Sequence, residues 1–157
     1  MPAGFGLREA SEHWLYAKDG DSHCLAIYRR HYSARRYLVE RQPLFVGPGR
    51  KLVLLSRSGK SLFVWRKFKD DCQPAQAGIN CSIFRNEGEP DANSSTLIAE
   101  AVAIIWHDWG RERLYTLVNP TKIRSTNPGF CFISNGWSKC GNSKTGKLIL
   151  ELLPQTL

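Results

Sequence analysis

The sequence predicts an α/β (α+β) fold, a mixed sheet flanked by helices, and three observations carry that expectation. Residues 51–56 and 61–68 read as two strands joined by the turn residues Ser58-Gly59-Lys60, and 79–85 alternates Ile79, Cys81, Ile83 against Asn80, Ser82, Phe84. Two other stretches carry apolar residues at helical spacing. The last third runs strand, polar loop, short helix, Gly-aromatic, strand, from Leu114 to Trp137.

In chain order, Trp14–Ala17 reads as a short first strand. Asp19-Gly20-Asp21-Ser22 supplies residue types that cap a helix N-terminus, and Cys24, Ile27, Tyr28 and His31 then fall on one face. Residues 33–49 are irregular and end in Gly47-Pro48-Gly49. After the three strands, 86–93 is a loop rich in Gly, Pro, Asn, Asp and Glu. Ser94-Ser95-Thr96 offers N-cap candidates for a helix to Trp109, with Leu97, Ile98, Ala101, Val102, Ile105 and Trp109 as a wide apolar stripe and Gly110 as its stop. A strand at 113–118 ends before Asn119-Pro120. Pro128-Gly129 opens a short helix at 130–135, Gly136 closes it, and strands at 137–140 and 147–153 form a final pair.

The 157 residues suffice for one domain, 1–157, with a real core. Apolar residues make up 42 %, yet no run approaches the roughly 20 needed to span a membrane. Residues 1–9 lack the apolar segment of a signal peptide, so a soluble, cytoplasmic protein without membrane contact is expected. Cys24, Cys72, Cys81, Cys131 and Cys140 are odd in number and show no CxxC spacing, which disfavours a zinc ribbon or a disulfide framework and favours reduced, mostly buried thiols. The four histidines show no HxH or HExxH spacing, so no metal centre is expected. The net charge of +8 favours a polyanionic partner, nucleic acid or a phosphorylated cofactor. The cations cluster: Arg29, Arg30, Arg35 and Arg36 around His31-Tyr32-Ser33, and Arg57, Lys60, Arg66, Lys67 and Lys69 about the hairpin.

The order of elements over residues 12–153, with the 128–137 helix after an Asn-ending strand, resembles the GNAT superfamily of N-acyltransferases. The resemblance implies a GNAT-like, mostly antiparallel sheet splayed at its centre, with acetyl-CoA or a related acyl-CoA in a V-shaped cleft between the strands at 79–85 and 113–118. It places the pyrophosphate on the helix that starts near Ser94, where unpaired N–H groups and the positive dipole end suit phosphate. On the cofactor side it implies Arg85, Ser94, Ser95, Thr96, Asn119 and Phe132. The family's usual loop, Arg/Gln-x-x-Gly-x-Gly/Ala, is only half kept by Arg85-x-x-Gly88, and Glu87, Glu89 and Asp91 make the loop acidic.

Within the superfamily, Arg30-His31-Tyr32-Ser33 and the Asn119-Pro120…Arg124-Ser125…Asn127-Pro128-Gly129 run look like the bacteriophage Mom-type DNA-modification proteins, which alter adenine N6 in phage DNA and shield it from host restriction. That resemblance implies an anti-restriction transferase in a bacterial host cell, with double-stranded DNA and acyl-CoA as partners. The oligomeric state is open, a dimer included. His31, with Tyr32 and Ser33, is the candidate for proton handling, because imidazole titrates near neutrality. Arg124 and Asn127 are candidates to orient the base or polarise the donor carbonyl. Arg30, Arg35, Arg36, Arg66 and Lys67 are candidates to hold DNA phosphates. Phe130 and Phe132 read as core. Two other readings stand beside this one: a GNAT-type acetyltransferase of a small-molecule or protein amine, and a non-catalytic binding protein on the same fold.

Overall fold

The computed structural model describes residues 4–31, 44–68, 76–120 and 129–154. They form an α+β fold with one seven-stranded open sheet: β1 (Trp14–Ala17), β2 (Arg50–Ser56), β3 (Ser61–Lys67), β4 (Ile79–Asn86), β5 (Leu114–Val118), β6 (Ser138–Asn142) and β7 (Leu148–Leu152), in the spatial order β1-β2-β3-β4-β5-β7-β6. Only β4 and β5 pair in parallel; every other pair is antiparallel. The helices are α1 (Ser22–Arg29), α2 (Ser94–Trp109) and α3 (Phe130–Ile133). No described helix is long and apolar enough to cross a membrane.

Local chemistry sets the helix starts. Asp21 caps α1, its carboxylate accepting the amides of His23 (2.9 Å) and Cys24 (3.1 Å). The cap of α2 is Asn93, one residue before the Ser-Ser-Thr run, and its side chain accepts the Thr96 amide at 2.8 Å. Ser94 thus opens the helix proper instead of capping it.

Two apolar layers sandwich the sheet. On one face α2 lays Leu97, Ile98, Ala101 and Ile105 against Trp14, Leu54, Phe63 and Trp65. Two indoles fasten the helix to the sheet, Trp14 Nε1 donating to the Leu97 carbonyl (2.9 Å) and Trp65 Nε1 to the Ala101 carbonyl (3.0 Å), one helical turn apart. On the other face Cys24, Ile27 and Tyr28 of α1 meet Val53, Leu55, Leu62, Val64 and Ile83. Glu100 of α2 ties down the segment before β1, accepting from the Ser11 hydroxyl, the His13 amide and His13 Nδ1.

The strict alternation expected in β4 is broken. Val64 pairs with Ile83 while the next residue, Trp65, pairs with Cys81, so Ser82 is an extra residue, a β-bulge. Ile79 and Cys81 therefore face α2, whereas Ile83 faces α1. Both edges of the sheet are blunted. The β1 edge carries a bridge from Glu9 to Leu15 and a Tyr16 amide bonded to the Arg8 carbonyl (2.8 Å), and β6 is exposed and bulged between Lys139 and Gly141.

Among the described cysteines none is in a disulfide; Cys24 and Cys81 are buried and Cys140 is exposed. Burial pushes both buried thiols up, Cys81 to about 12. In the native protein a thiol reagent should label Cys140, with Cys24 and Cys81 reacting only after unfolding, a difference that peptide mapping reads directly. Trp65→Ala removes a fully buried ring and a helix tether; urea unfolding should show a loss of about 3–5 kcal/mol.

Candidate functional site

The parallel contact between β4 and β5 is short. It comprises three pairs, Ile79↔Leu114, Asn80↔Tyr115 and Cys81↔Thr116. Its base is tightly closed: the Ile79 amide donates to the Arg113 carbonyl at 2.9 Å, and Gly78, at φ 109°, sits so near that a Cβ would lie 2.2 Å from that oxygen. At the last pair the Thr116 hydroxyl donates to the Cys81 carbonyl at 2.9 Å. Beyond it lies the bulge at Ser82. From there to Asn86, β4 keeps β3 on one side and, among the described residues, has no strand partner on the other. The central sheet thus opens into a wedge whose apex is Cys81–Thr116.

The apex is polar where a central strand should be apolar. Asn80 Oδ1 and Ser82 Oγ are buried with no hydrogen-bond partner. An unpaired buried acceptor and hydroxyl cost free energy, about 1–3 kcal/mol each, unless a ligand or water completes them. Sequence reasoning passed over both. The legible signal was their presence in a strand otherwise suited to burial on both faces.

On the α2 side an aromatic stack roofs the wedge. Phe132 of α3 packs edge-on against Phe84 (6.0 Å) and Trp137 (5.0 Å), and Trp137 lies parallel to Trp65 (6.4 Å). Gly129, at φ 80°, lets α3 seat closely: a Cβ there would lie 2.6 Å from Leu150 Cδ1. Phe132 is thus a core residue. Phe130, expected in the core, is 57 % exposed. The Trp137 indole N–H is also buried without a partner.

On the α1 side the wedge is flanked by charge. Glu87 is clasped by Arg30 Nε (2.6 Å) and Arg85 Nε (2.6 Å). The hydrogen bond from Arg30, joined by that from Arg85, holds the Glu87 carboxyl down at about 2. His31, beside this clasp, is 6 % exposed. Burial, then the nearby Arg85 charge, lowers it to about 4, partly offset by a hydrogen bond with the Phe84 backbone. It is therefore a neutral imidazole at physiological pH, and a value so far below neutrality makes it a weak base.

The residues expected to cradle phosphate are engaged within the protein. Arg85 is in the clasp. The Ser94 hydroxyl accepts from Asn86 Nδ2 (3.0 Å), Ser95 Oγ meets Ser134 Oγ (2.7 Å), and Asn135 Nδ2 donates to the Ser95 carbonyl (2.8 Å), so the end of α3 is bound to the start of α2. Thr96 is exposed, its amide used by Asn93. Asn119 stands one residue beyond β5, at the open end of the wedge. Two acids of the loop are also occupied: Glu87 is in the clasp, and Glu89 accepts from Ser58 (2.8 Å) and Ser61 (2.9 Å).

Of the cations expected to hold DNA, Arg30 is paired with Glu87 and Lys67 with Glu112 (2.6 Å). Arg66 lies over the Phe68 ring (4.0 Å) and donates to the Pro48 carbonyl (2.7 Å). Tyr32, Ser33, Arg35, Arg36, Arg124 and Asn127 lie outside the described residues. The structure brings His31, Arg30 and Arg85 together on one side of the wedge and Ser95 and Phe132 on the other; Arg66 and Lys67 pair elsewhere. No group of three His, Cys, Asp or Glu side chains among the described residues converges on a metal position. No protein-family model matches the chain, and no curated protein matches it in sequence.

The two histidines of known setting give stability opposite pH slopes. His31 is lowered, so its neutral form contributes stability that is present above the unfolded value of 6.5 and lost as pH falls towards 4. His13 is raised, chiefly by its hydrogen bond to Glu100, so its contribution is present below 6.5 and lost as pH rises through the elevated value. Urea unfolding across pH should show His31→Gln flattening the acid limb and His13→Gln flattening the alkaline one.

Proposed function

We propose that this chain is a GNAT-type N-acyltransferase of the DNA-modifying, Mom-like kind, which places an acyl-derived group on adenine N6 and so protects DNA from restriction. The observation that carries the reading is the wedge: a parallel strand pair that parts after three residues, with a bulge and two unpartnered buried polar atoms at its apex. An extended arm bearing amides fits such a gap, because the free edge of β4 offers backbone groups as a missing strand would. Ser82 would donate to a carbonyl oxygen and Asn80 Oδ1 would accept an N–H. The acyl-CoA, when bound, supplies an activated carbonyl.

The fit is good at the apex and poor at the phosphate end. The start of α2 has its hydroxyls and nearest arginine engaged, so the pyrophosphate would have to find other donors than Arg85, Ser94 and Ser95. The chain's own task is then orientation. The adenine N6 lone pair is delocalised into its ring, and the base must leave the duplex stack to reach a site between strands. His31 is in the neutral form, and its bond to Phe84 makes it a positioning group for the β4 wall of the wedge. Arg124 and Asn127 retain the orienting role implied by the resemblance.

DNA is favoured over a small cationic amine for an electrostatic reason. A protonated amine needs an acidic pocket, and of the loop's acids Glu87 and Glu89 are already neutralised or hydrogen-bonded by their own neighbours, while Asp91 is exposed. The net charge of +8 also draws a polyanion. The occupied phosphate cradle supports one second reading, a binding protein that keeps the fold without the transfer.

Nucleoside mass spectrometry of DNA from expressing cells tests the proposal. A new adenine nucleoside, absent from empty-vector cells, is expected; unmodified adenosine throughout would sink it. Calorimetry with acetyl-CoA separates the two readings. Binding by the wild type, weakened about tenfold in Ser82→Ala, is expected for the enzyme, corresponding to roughly one lost hydrogen bond.

A further inference from the structure

Six cations in the described residues have carboxylate partners: Arg30 and Arg85 with Glu87, Arg57 with Glu9, Lys51 with Asp19, Lys67 with Glu112 and Arg113 with Glu151. Arg8, Lys18 and Arg50 are in no such ion pair, and these three come together in one groove of about 700 Å³ at the β1 edge of the sheet. The groove lies between the segment before β1, the residues after β1, the start of β2 and the end of α2.

Its electrostatics are built rather than incidental. Arg8 is held over the Tyr16 ring and Arg50 over the Trp109 ring, each at 4.4 Å. A guanidinium fixed on a ring face keeps its N–H donors for another acceptor and loses little freedom on meeting one. Both acids in the groove are spent. Asp108 accepts from the Tyr16 hydroxyl (2.7 Å) and bonds His107 (2.9 Å). Asp19 binds Lys51 (3.0 Å) and the amides of Phe45 (2.7 Å) and Val46 (3.1 Å). Among the described residues of the lining, Arg8, Lys18, Arg50 and Lys51 outnumber Asp19 and Asp108, leaving a net charge of +2.

We propose that this groove seats the sugar–phosphate backbone of a DNA strand. Three unpaired cations, two of them pre-oriented, match phosphodiester oxygens. The volume exceeds what a single inorganic anion needs and suits a nucleotide unit. Among the described residues no Asn, Gln, Ser or Thr lines the groove, and the Tyr16 hydroxyl is already donated to Asp108, so no uncommitted side-chain amide or hydroxyl is there to read base edges. Contact there is independent of sequence. Three strand spacings separate β1 from β4, about 15 Å, so a strand seated here reaches the wedge within a few nucleotides. The inference shares with the proposed function only the choice of DNA as partner; it requires no transfer reaction.

Fluorescence anisotropy with a labelled 20-base-pair duplex, from 50 to 200 mM salt, tests it. The variant is Arg8→Gln/Lys18→Gln/Arg50→Gln. The control is Lys139→Gln/Lys144→Gln/Lys147→Gln, which removes the same charge from the β6–β7 hairpin. The groove variant should bind at least tenfold more weakly at 100 mM salt, and its log–log salt slope should shrink by about 2–3. The control should lose less than threefold. Equal losses in both, no loss in the groove variant, or displacement of the duplex by millimolar dAMP or inorganic phosphate would overturn the proposal. Thermal melts of both variants should match the wild type. Nucleoside analysis is read separately: groove-dependent binding without base modification defeats the transfer reading alone, and base modification with binding unaffected by the groove variant defeats this one alone.

Discussion

Three residue pairs between β4 and β5 decide the architecture. Among the described strands they are the only parallel contact, and they join a β1–β4 meander to the β5–β7–β6 unit. The Gly78–Arg113 approach and the Thr116–Cys81 hydrogen bond lock this junction at one end, so the sheet can part at the other without coming apart. The bulge at Ser82 then turns the outer half of β4, sending Ile83 to the α1 layer. A single inserted residue thus serves both apolar layers and frees one strand edge. The aromatic roof of Phe84, Phe132 and Trp137 restores on the α2 side the packing that strand pairing gives up.

Charge is distributed with similar consistency. Around the wedge almost every ionised group has a partner: Glu87 takes two arginines, Glu89 two serines, and His31 stays uncharged. These contacts stiffen the loop that follows β4 and join it to the end of α1 and to the β2–β3 turn. Part of the positive charge without carboxylate partners lies elsewhere, at the β1 edge, where Arg8 and Arg50 rest on aromatic rings. The wedge and the groove are therefore electrostatically distinct regions of one sheet.

Much of the fold was legible in the sequence. The apolar stripe of α2, the Ser58-Gly59-Lys60 turn and the Gly110 stop each map onto the structure, because each depends on local geometry. Asp21 capping was readable for the same reason. The bulge was not: Ile79, Cys81 and Ile83 alternate faultlessly on paper, and only the pairing with β3 shows that Ser82 is extra. Of the site, the residue types on the helix starts were visible, but their occupation by Asn86, Ser134 and Asn135 depends on contacts 8 to 40 positions away. The fate of the arginines was equally hidden. Clustering in sequence singled out Arg30 and Arg66, which are engaged by protein partners at the surface, and passed over Arg8 and Arg50, which meet only in space.

The sheet's two margins have a consequence for how the molecule behaves in a crowded solution. A bare outer strand is a template on which another copy can add its own, the first step toward fibrils. Here one margin is already sheathed by the chain's own leading segment, and the other is five residues long, carries Lys139 and is kinked by an irregular register. Concentrating the protein therefore gives strand-by-strand accretion no straight template from which to grow.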